Sequence, residues 1–384
     1  MRSDKPGSGR KRKATMEELE QLKTDRRALH RHPELELDTA WTADYIETAL
    51  ADLDCEVFRP IPNSVCAYFD AGKDHTLAYR SDMDALPVSE KTNHDFKSEI
   101  EGCMHACGHD GHMALLLAFA RRLNTFYQDL DANVLLIFQP GEETPGGARL
   151  ITQTGLFENY HVDRIYGTHL WPMLPAGVIG SRPGPLMAHS SEVNVDFWGR
   201  SSHAARYKEG VDAMEIGAQF LLQCYHIEKQ LPVDVYRLLR FGMFDAGTVR
   251  NVVASHARLE GTLRAFEDEI FWHLRDSVEA AAMNLAQQCG AEVTVEFSSG
   301  YPAVMNDEAL FEEARVLLPD LRVLREPEMI SEDFSWYLQE VPGLFFFLGT
   351  GTGIPLHNDH FDFDEAILQK GVDAYEALAR NARF

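Results

Sequence analysis

The chain has 384 residues, 45% of them hydrophobic and 25% charged, and a formal net charge of −24. That length can bury a sizeable core and is long for one domain, so two are expected. The apolar share fits a soluble globular protein, the acidic excess repels phosphates and argues against a nucleic-acid partner, and no window approaches 18 consecutive apolar residues, which excludes a membrane span.

Residues 1–13 run against that charge. Arg2, Lys5, Arg10, Lys11, Arg12 and Lys13 surround Pro6, Gly7, Ser8 and Gly9. A disordered, solvated basic tail is the expected reading. No apolar stretch follows, so it is not a secretory signal. The six cysteines (Cys55, Cys66, Cys103, Cys107, Cys224 and Cys289) are scattered and lack the rhythm of a disulfide framework. That suits a reducing cytoplasm.

In chain order, Met16 to Leu29 reads as an amphipathic helix and Thr42 to Leu53 as a second. Strand-like runs follow at Val57, Val65 to Phe69 and Thr76 to Arg80. A helix is expected to continue over Leu115 to Tyr127. Asn133 to Phe138 is a continuous apolar run of the kind found in a central parallel strand, and Arg164 to Gly167 resembles another. Strands alternating with helices predict an α/β layered domain.

The pattern changes after Gly184. A strand at Glu192 to Phe197, a helix at Ala213 to Glu228, strands at Leu238 to Phe244 and Ala257 to Leu263, a helix at Glu267 to Gln288 and a strand at Glu292 to Phe297 follow. This β-α-β-β-α-β order is the ferredoxin-like pattern. From Ser298 the α/β character resumes, with a buried strand at Leu344 to Leu348 and a closing helix at Phe363 to Leu378. An inserted α+β domain at 187–297, between halves 14–186 and 298–384 of a larger one, accounts for this better than two domains in series.

The densest chemistry lies in Met104-His105-Ala106-Cys107-Gly108-His109-Asp110-Gly111-His112, at the mouth of an apolar helix beginning near Met113. Imidazole and thiolate are the side-chain ligands that zinc-like ions prefer. Further metal-type residues stand at other strand ends. Glu142 and Glu143 follow the apolar strand, where α/β folds place their sites. As neighbours they cannot point the same way, so one can ligate a metal while the other faces a substrate. His169 ends another strand, and His357 and His360 follow a glycine-rich turn. Asp82 and Asp84 end the strand before the loop and are candidates to orient histidines. Alone, each has a plainer reading: a hydrogen-bonded core histidine, a solvated acidic loop, a turn cap. Their joint occurrence carries the weight.

These blocks resemble the metal-dependent amidohydrolase and aminoacylase family, metallopeptidase family twenty, subfamily D. That branch includes hippurate hydrolases, auxin-conjugate amidohydrolases and N-acetyl-diaminopimelate deacetylases. The resemblance rests on Arg27-Ala-Leu-His-Arg-His-Pro-Glu34, Asp82-Met-Asp-Ala-Leu-Pro87, His105-Ala-Cys-Gly-His-Asp110, Gly141-Glu-Glu143, His169-Leu-Trp-Pro172, Ser331-Glu-Asp-Phe334 and His357-Asn-Asp-His-Phe361. The thiol at Cys107 marks the branch, since sister branches carry aspartate there.

The resemblance implies a zinc-peptidase-like catalytic domain with a mixed sheet, and an inserted domain that serves as lid and homodimer interface. It implies two divalent ions per subunit, zinc first with manganese, cobalt or nickel as alternatives. Their ligands would be Cys107, His109, Glu143, His169 and His357, with Cys107 shared. Glu142 would be the general base, in hydrolysis of an N-acyl amino acid to a carboxylate and a free amino acid. His203, in Gly199-Arg-Ser-Ser-His-Ala-Ala205, would stabilise the oxyanion in a partner subunit. Asn251 and Arg264 match lid positions that meet substrate, Arg264 as a carboxylate partner; a turn asparagine and a surface arginine are the plainer readings. His105 and His112 are expected to support or pack, and Asp110 to orient a ligand or cap the helix. Ser331 and the acids after it read as a helix N-cap. The lid departs from the family pattern: Ser202 stands where Gly is usual, Tyr207-Lys208 where Pro-His is usual, and Ala254 where Pro is usual. A dipeptidase is the alternative activity, and a non-catalytic binding protein the alternative of another class.

Overall fold

The computed structural model describes residues 15–384, so the basic segment 1–13 lies outside the described residues. The first helix, Met16–Arg31, opens on a capping box: Thr15 Oγ1 accepts the Glu18 N–H at 3.1 Å, and the Glu18 carboxylate accepts the Thr15 N–H at 2.7 Å. Its buried stripe is Leu22, Asp25, Arg26, Leu29 and His30. The spacing is that of a core-facing helix, yet three members are ionisable. Asp25 pairs with Arg121 and accepts the Tyr45 hydroxyl, while Arg26 and His30 point at Asp110, described below.

An eight-stranded mixed sheet forms the centre. Across it, in spatial order, run Glu56–Phe58, Val65–Phe69, Asn133–Gln139, Thr76–Asp82, Val162–Trp171, Gly343–Gly349, Ile179–Ser181 and Arg322–Val323. Asn133–Gln139 shows why its sequence is continuously apolar. Val134, Leu136 and Phe138 enter one core, with helices Met16–Arg31, His109–Leu123 and Leu368–Asn381. Leu135 and Ile137 enter the core on the opposite face, with Ile151, Phe334 and Tyr337. The sheet is mixed, as expected: this strand runs parallel to Thr76–Asp82 but antiparallel to Val65–Phe69. Burial on both faces, not strand direction, produces the apolar run.

A separate four-stranded antiparallel sheet has the order Glu292–Phe297, His189–Trp198, His256–Ala265, Arg237–Ala246. Helices Ala213–Gln230 and Asp268–Cys289 cover it. Val193, Val195, Phe197, Phe220, Leu259, Leu263, Phe271 and Leu274 belong to a core of their own. Element order and strand order are those of a ferredoxin-like unit.

Several boundaries differ from the sequence expectation. The second helix spans Ala40–Leu50, and the helix after the metal-type loop spans His109–Leu123, starting earlier than Met113 and ending before Tyr127. His109 and His112 therefore sit on its first turn. Gly108 makes that start possible: its φ is +88°, and a Cβ there would lie 2.8 Å from Leu170 Cδ1. The closing helix spans Leu368–Asn381, because Asp364 caps a short 3₁₀ turn, Glu365–Ile367, ahead of it. All six cysteines are free, and among the described residues no helix is long and apolar enough to cross a membrane.

Candidate metal centre and active site

Thr76–Asp82, Asn133–Gln139, Val162–Trp171 and Gly343–Gly349 run parallel through the sheet, so their C-terminal ends lie together. The chain leaves those ends carrying Asp82 and Asp84, Glu142 and Glu143, His169, and His357. They meet the Cys107-Gly108-His109 loop around a cavity of about 380 Å³. Cys107, Glu142, Glu143, His169 and His357 line it. Met187, Ile330 and Leu356 supply apolar wall, and Arg264, Tyr301 and Glu332 supply polar groups.

Two donor trios share one thiol. Donor atoms of Cys107, His109 and His169 lie within 4.8 Å of one another, and so do those of Cys107, Glu143 and His357. Cys107 Sγ is 3.4 Å from His169 Nε2. His357 Nε2 is 3.1 Å from Glu143 Oε1. Those two atoms approach without hydrogen-bond alignment, for Glu143 Oε1 has no hydrogen-bond partner, and neither does the buried His109 Nε2. Buried polar atoms are normally paired, so an orphaned donor in each trio fits a cation there.

The imidazoles are held with Nε2 facing inward. His109 Nδ1–H donates to the Asp84 carbonyl at 2.7 Å, and His169 Nδ1–H to the Leu170 carbonyl at 2.7 Å. His112 is turned the other way: its Nδ1–H donates to Asp82 Oδ1 at 2.7 Å, while its Nε2 accepts the Leu170 N–H at 2.9 Å. His112 thus supports the strand that carries His169. Asp82 does orient a histidine. Asp84 acts differently from the expectation: its carbonyl holds His109, and its carboxylate accepts the backbone N–H groups of Glu142 at 2.9 Å and Glu143 at 3.1 Å. Asp110 faces away from the cavity and pairs with Arg26 and His30.

The electrostatics are strongly anionic. Buried carboxylates of Asp82, Glu142, Glu332 and Asp333 crowd one buried cation, the Arg80 guanidinium. Arg80 reaches Asp82 at 2.9 Å, Asp333 at 2.7 Å and Glu332 at 3.0 Å. Burial, together with Glu332, Glu143 and Asp333, pushes Glu142 well above the usual carboxylate range. Burial and the carboxylates of Glu143, Glu142 and Asp82 push the Cys107 thiol far up as well. Burial drives His169 well down, so it is neutral and ready to donate a lone pair. Cations within this set would reverse the first two effects and offset the excess charge. Thiolate, imidazole and carboxylate together form a zinc-type donor set, so the residues fit a metal centre.

Residues 78–381 match the model of Peptidase family M20/M25/M40. The chain belongs to that family. A Staphylococcus epidermidis relative named only as an uncharacterized hydrolase is 36% identical over 380 residues, covering 95% of this chain and 99% of the relative. The Bacillus subtilis YXEP protein, described as a dinuclear metal-binding peptidase from the M20 family, superposes with a TM-score of 0.84 at 30% identity, covering 95% and 98% of the two chains. The fold is shared more distantly with an aminobenzoyl-glutamate utilization protein from Klebsiella pneumoniae, with a TM-score of 0.68 and 21% identity. The chain is therefore an M20 hydrolase.

Of Arg264, His203 and Asn251, only Arg264 lines the cavity; its guanidinium donates to the Met329 carbonyl. His203 and Asn251 lie outside it and beside each other: Ala204 N–H donates to the Asn251 carbonyl at 3.0 Å, and His203 pairs with Val252 in a β-bridge. The N-cap expected at Ser331 is corrected. Glu332 is the capping residue, accepting the Phe334 N–H at 3.0 Å, because its side chain is already drawn inward by Arg80.

Two site residues escaped the sequence reading. Arg80 looked like the last residue of an ordinary strand, although an arginine inside an apolar run is itself a signal of a buried ion pair. Tyr301 lines the cavity and donates its hydroxyl to the Glu142 carbonyl at 2.8 Å. It carried no motif.

Proposed function

We propose that the chain hydrolyses the amide bond of N-acyl amino acids, N-acetyl, N-aroyl or similar, releasing a carboxylate and a free amino acid. The carrying observation is the pair of donor trios joined at Cys107. On this reading His109 and His169 would hold one divalent ion and Glu143 and His357 the other, with Cys107 belonging to both donor sets. Zinc suits the thiolate and imidazoles, with manganese, cobalt and nickel as alternatives. The ions, when bound, polarise the scissile carbonyl and lower the pKa of the attacking water.

Glu142 takes the proton of that water and delivers it to the departing amide nitrogen. Asp84 fixes the Glu142 main chain from one side and Tyr301 from the other. Arg264 is half-buried at the cavity and has no carboxylate partner among the described residues; it is placed to receive the substrate carboxylate. Met187, Ile330 and Leu356 would face the acyl group. A small peptide would fit the same groups, and the YXEP protein is described as a peptidase, so a dipeptidase is the second reading.

In this account residues 187–297 form a lid and dimerisation domain inserted into a catalytic domain of 14–186 and 298–384. Support for a homodimer comes from its edge strand, Arg237–Ala246, where Met243 and Phe244 are exposed alongside Met214 of the neighbouring helix. His203 and Asn251 would then reach the site of a partner protomer and meet the oxyanion and substrate there. Free cysteines throughout accord with a cytoplasmic setting. The test is a panel of N-acetyl, N-benzoyl and longer acyl amino acids beside dipeptides, run with several divalent metals. Faster turnover of dipeptides than of every acyl amino acid would favour the second reading.

A further inference from the structure

A second group of metal-type side chains lies apart from the cavity. His30 comes from the end of the first helix, and Glu90 and His94 from the segment before the Cys107 loop; their donor atoms lie within 4.8 Å of one another. His30 Nε2 is 3.4 Å from Glu90 Oε2, and His94 Nε2 is 3.4 Å from Glu90 Oε1. His30 is only 1% exposed. Its Nε2 makes no hydrogen bond, and neither do the two ring nitrogens of His94, which are buried as atoms.

These groups are already positioned for coordination. The Asp110 carboxylate lies 2.9 Å from His30 Nδ1. A hydrogen bond there fixes the ring with Nε2 toward Glu90, the carboxylate–histidine arrangement that backs metal ligands. Glu90 is oriented by the Ser98 N–H at 2.7 Å and the Thr92 hydroxyl. His94 stacks flat on Phe96 at 3.8 Å. Tetrahedral coordination with bonds of about 2.1 Å places neighbouring donors about 3.4 Å apart, which matches both imidazole–carboxylate distances. His94 is 12% exposed, so the group can be reached from solvent.

We propose that His30, Glu90 and His94 form a binding site for a zinc-like divalent cation, separate from the Cys107 centre. A cation there ties the first helix to the segment holding Glu90. That segment is joined to the loop of His357: the Lys91 N–H donates to the Asp359 carbonyl at 2.8 Å, and Lys91 Nζ lies 2.6 Å from the Asp359 carboxylate. The site would brace the loop that carries His357 from the side away from the cavity. Its competitor is a proton. Burial opposes charge on His30, but Asp110 and Glu90 push it up to about 9, and an imidazolium bridging the two carboxylates would fill the same space.

The full-length protein, loaded with zinc and dialysed, tests this by metal content and by zinc anomalous diffraction from its crystals. Wild type should hold one more zinc per chain than His94→Ala, with an anomalous peak between His30, Glu90 and His94. That difference survives even if the Cys107 centre binds fewer ions than proposed, because it is counted separately. Should His94→Ala fail to fold, the wild-type peak decides alone. Equal zinc content in the two proteins, with no peak between the three side chains, would overturn the site and leave the bridging imidazolium.

Discussion

The Asp84 carboxylate accepts the Glu142 N–H at 2.9 Å and the Glu143 N–H at 3.1 Å. One buried side chain thereby sets the turn from which the proposed base and a proposed ligand diverge. Asp84→Ala should leave two buried N–H groups unpaired and let that turn shift. Displacements of this kind cost catalysis on the order of 10²-fold. Steady-state turnover and metal content of the folded variant check this, and near-wild-type turnover would separate Asp84 from the site's geometry.

Arg80 is the buried counter-charge to Asp82, Glu332 and Asp333. Arg80→Met should destabilise the fold by about 3–5 kcal/mol, since it strands buried carboxylates. Urea unfolding of metal-free protein measures it. A loss under 1 kcal/mol would mean that the carboxylates are neutralised by other means.

The sequence and the structure part company at Arg80 and Tyr301. Glu142, Glu143 and His357 were legible because they follow strongly apolar strands, His169 because it lies at the end of one, and Cys107 and His109 because they share a loop dense in thiol and imidazole; parallel strands bring their ends together without further information. Arg80 and Tyr301 were not. Arg80 meets Asp333, 253 positions away, at 2.7 Å, and Tyr301 meets Glu142 from the segment that follows the inserted unit. No local period encodes such contacts. The helix Met16–Arg31 is expected from its spacing, but nothing in that spacing shows that Arg26 and His30 are buried against Asp110.

Tyr301→Phe removes a single hydrogen bond to the Glu142 carbonyl. It should lower kcat by roughly fivefold, equivalent to about 1 kcal/mol, without changing metal content. Kinetics beside elemental analysis separate the two readouts. A loss of metal would show that Tyr301 shapes the ligand set itself.

His30 gives a pH signature in the metal-free protein. Burial disfavours its charge, but Asp110 overcomes that and the folded-state value rises to about 9, above the usual 6.5 or so of an unfolded histidine. A raised value stabilises the charged form. Its contribution is fully present below about pH 6.5 and is lost as pH rises through about 9. Unfolding free energy should therefore fall over that window in wild type, and fall less steeply in His30→Gln. Identical slopes would remove His30 as the cause.

The proposed hydrolysis turns on Glu142 carrying a proton beside a metal centre. The most direct measurement is hydrolysis of the best N-acyl amino acid substrate by Glu142→Gln and by wild type, each assayed after chelation and after metal is restored. The account predicts that Glu142→Gln binds as much metal as wild type but turns over at least about 10²-fold more slowly, and that wild type loses activity on chelation and regains it with metal. Full turnover by Glu142→Gln, or undiminished wild-type activity after thorough metal removal, would contradict it.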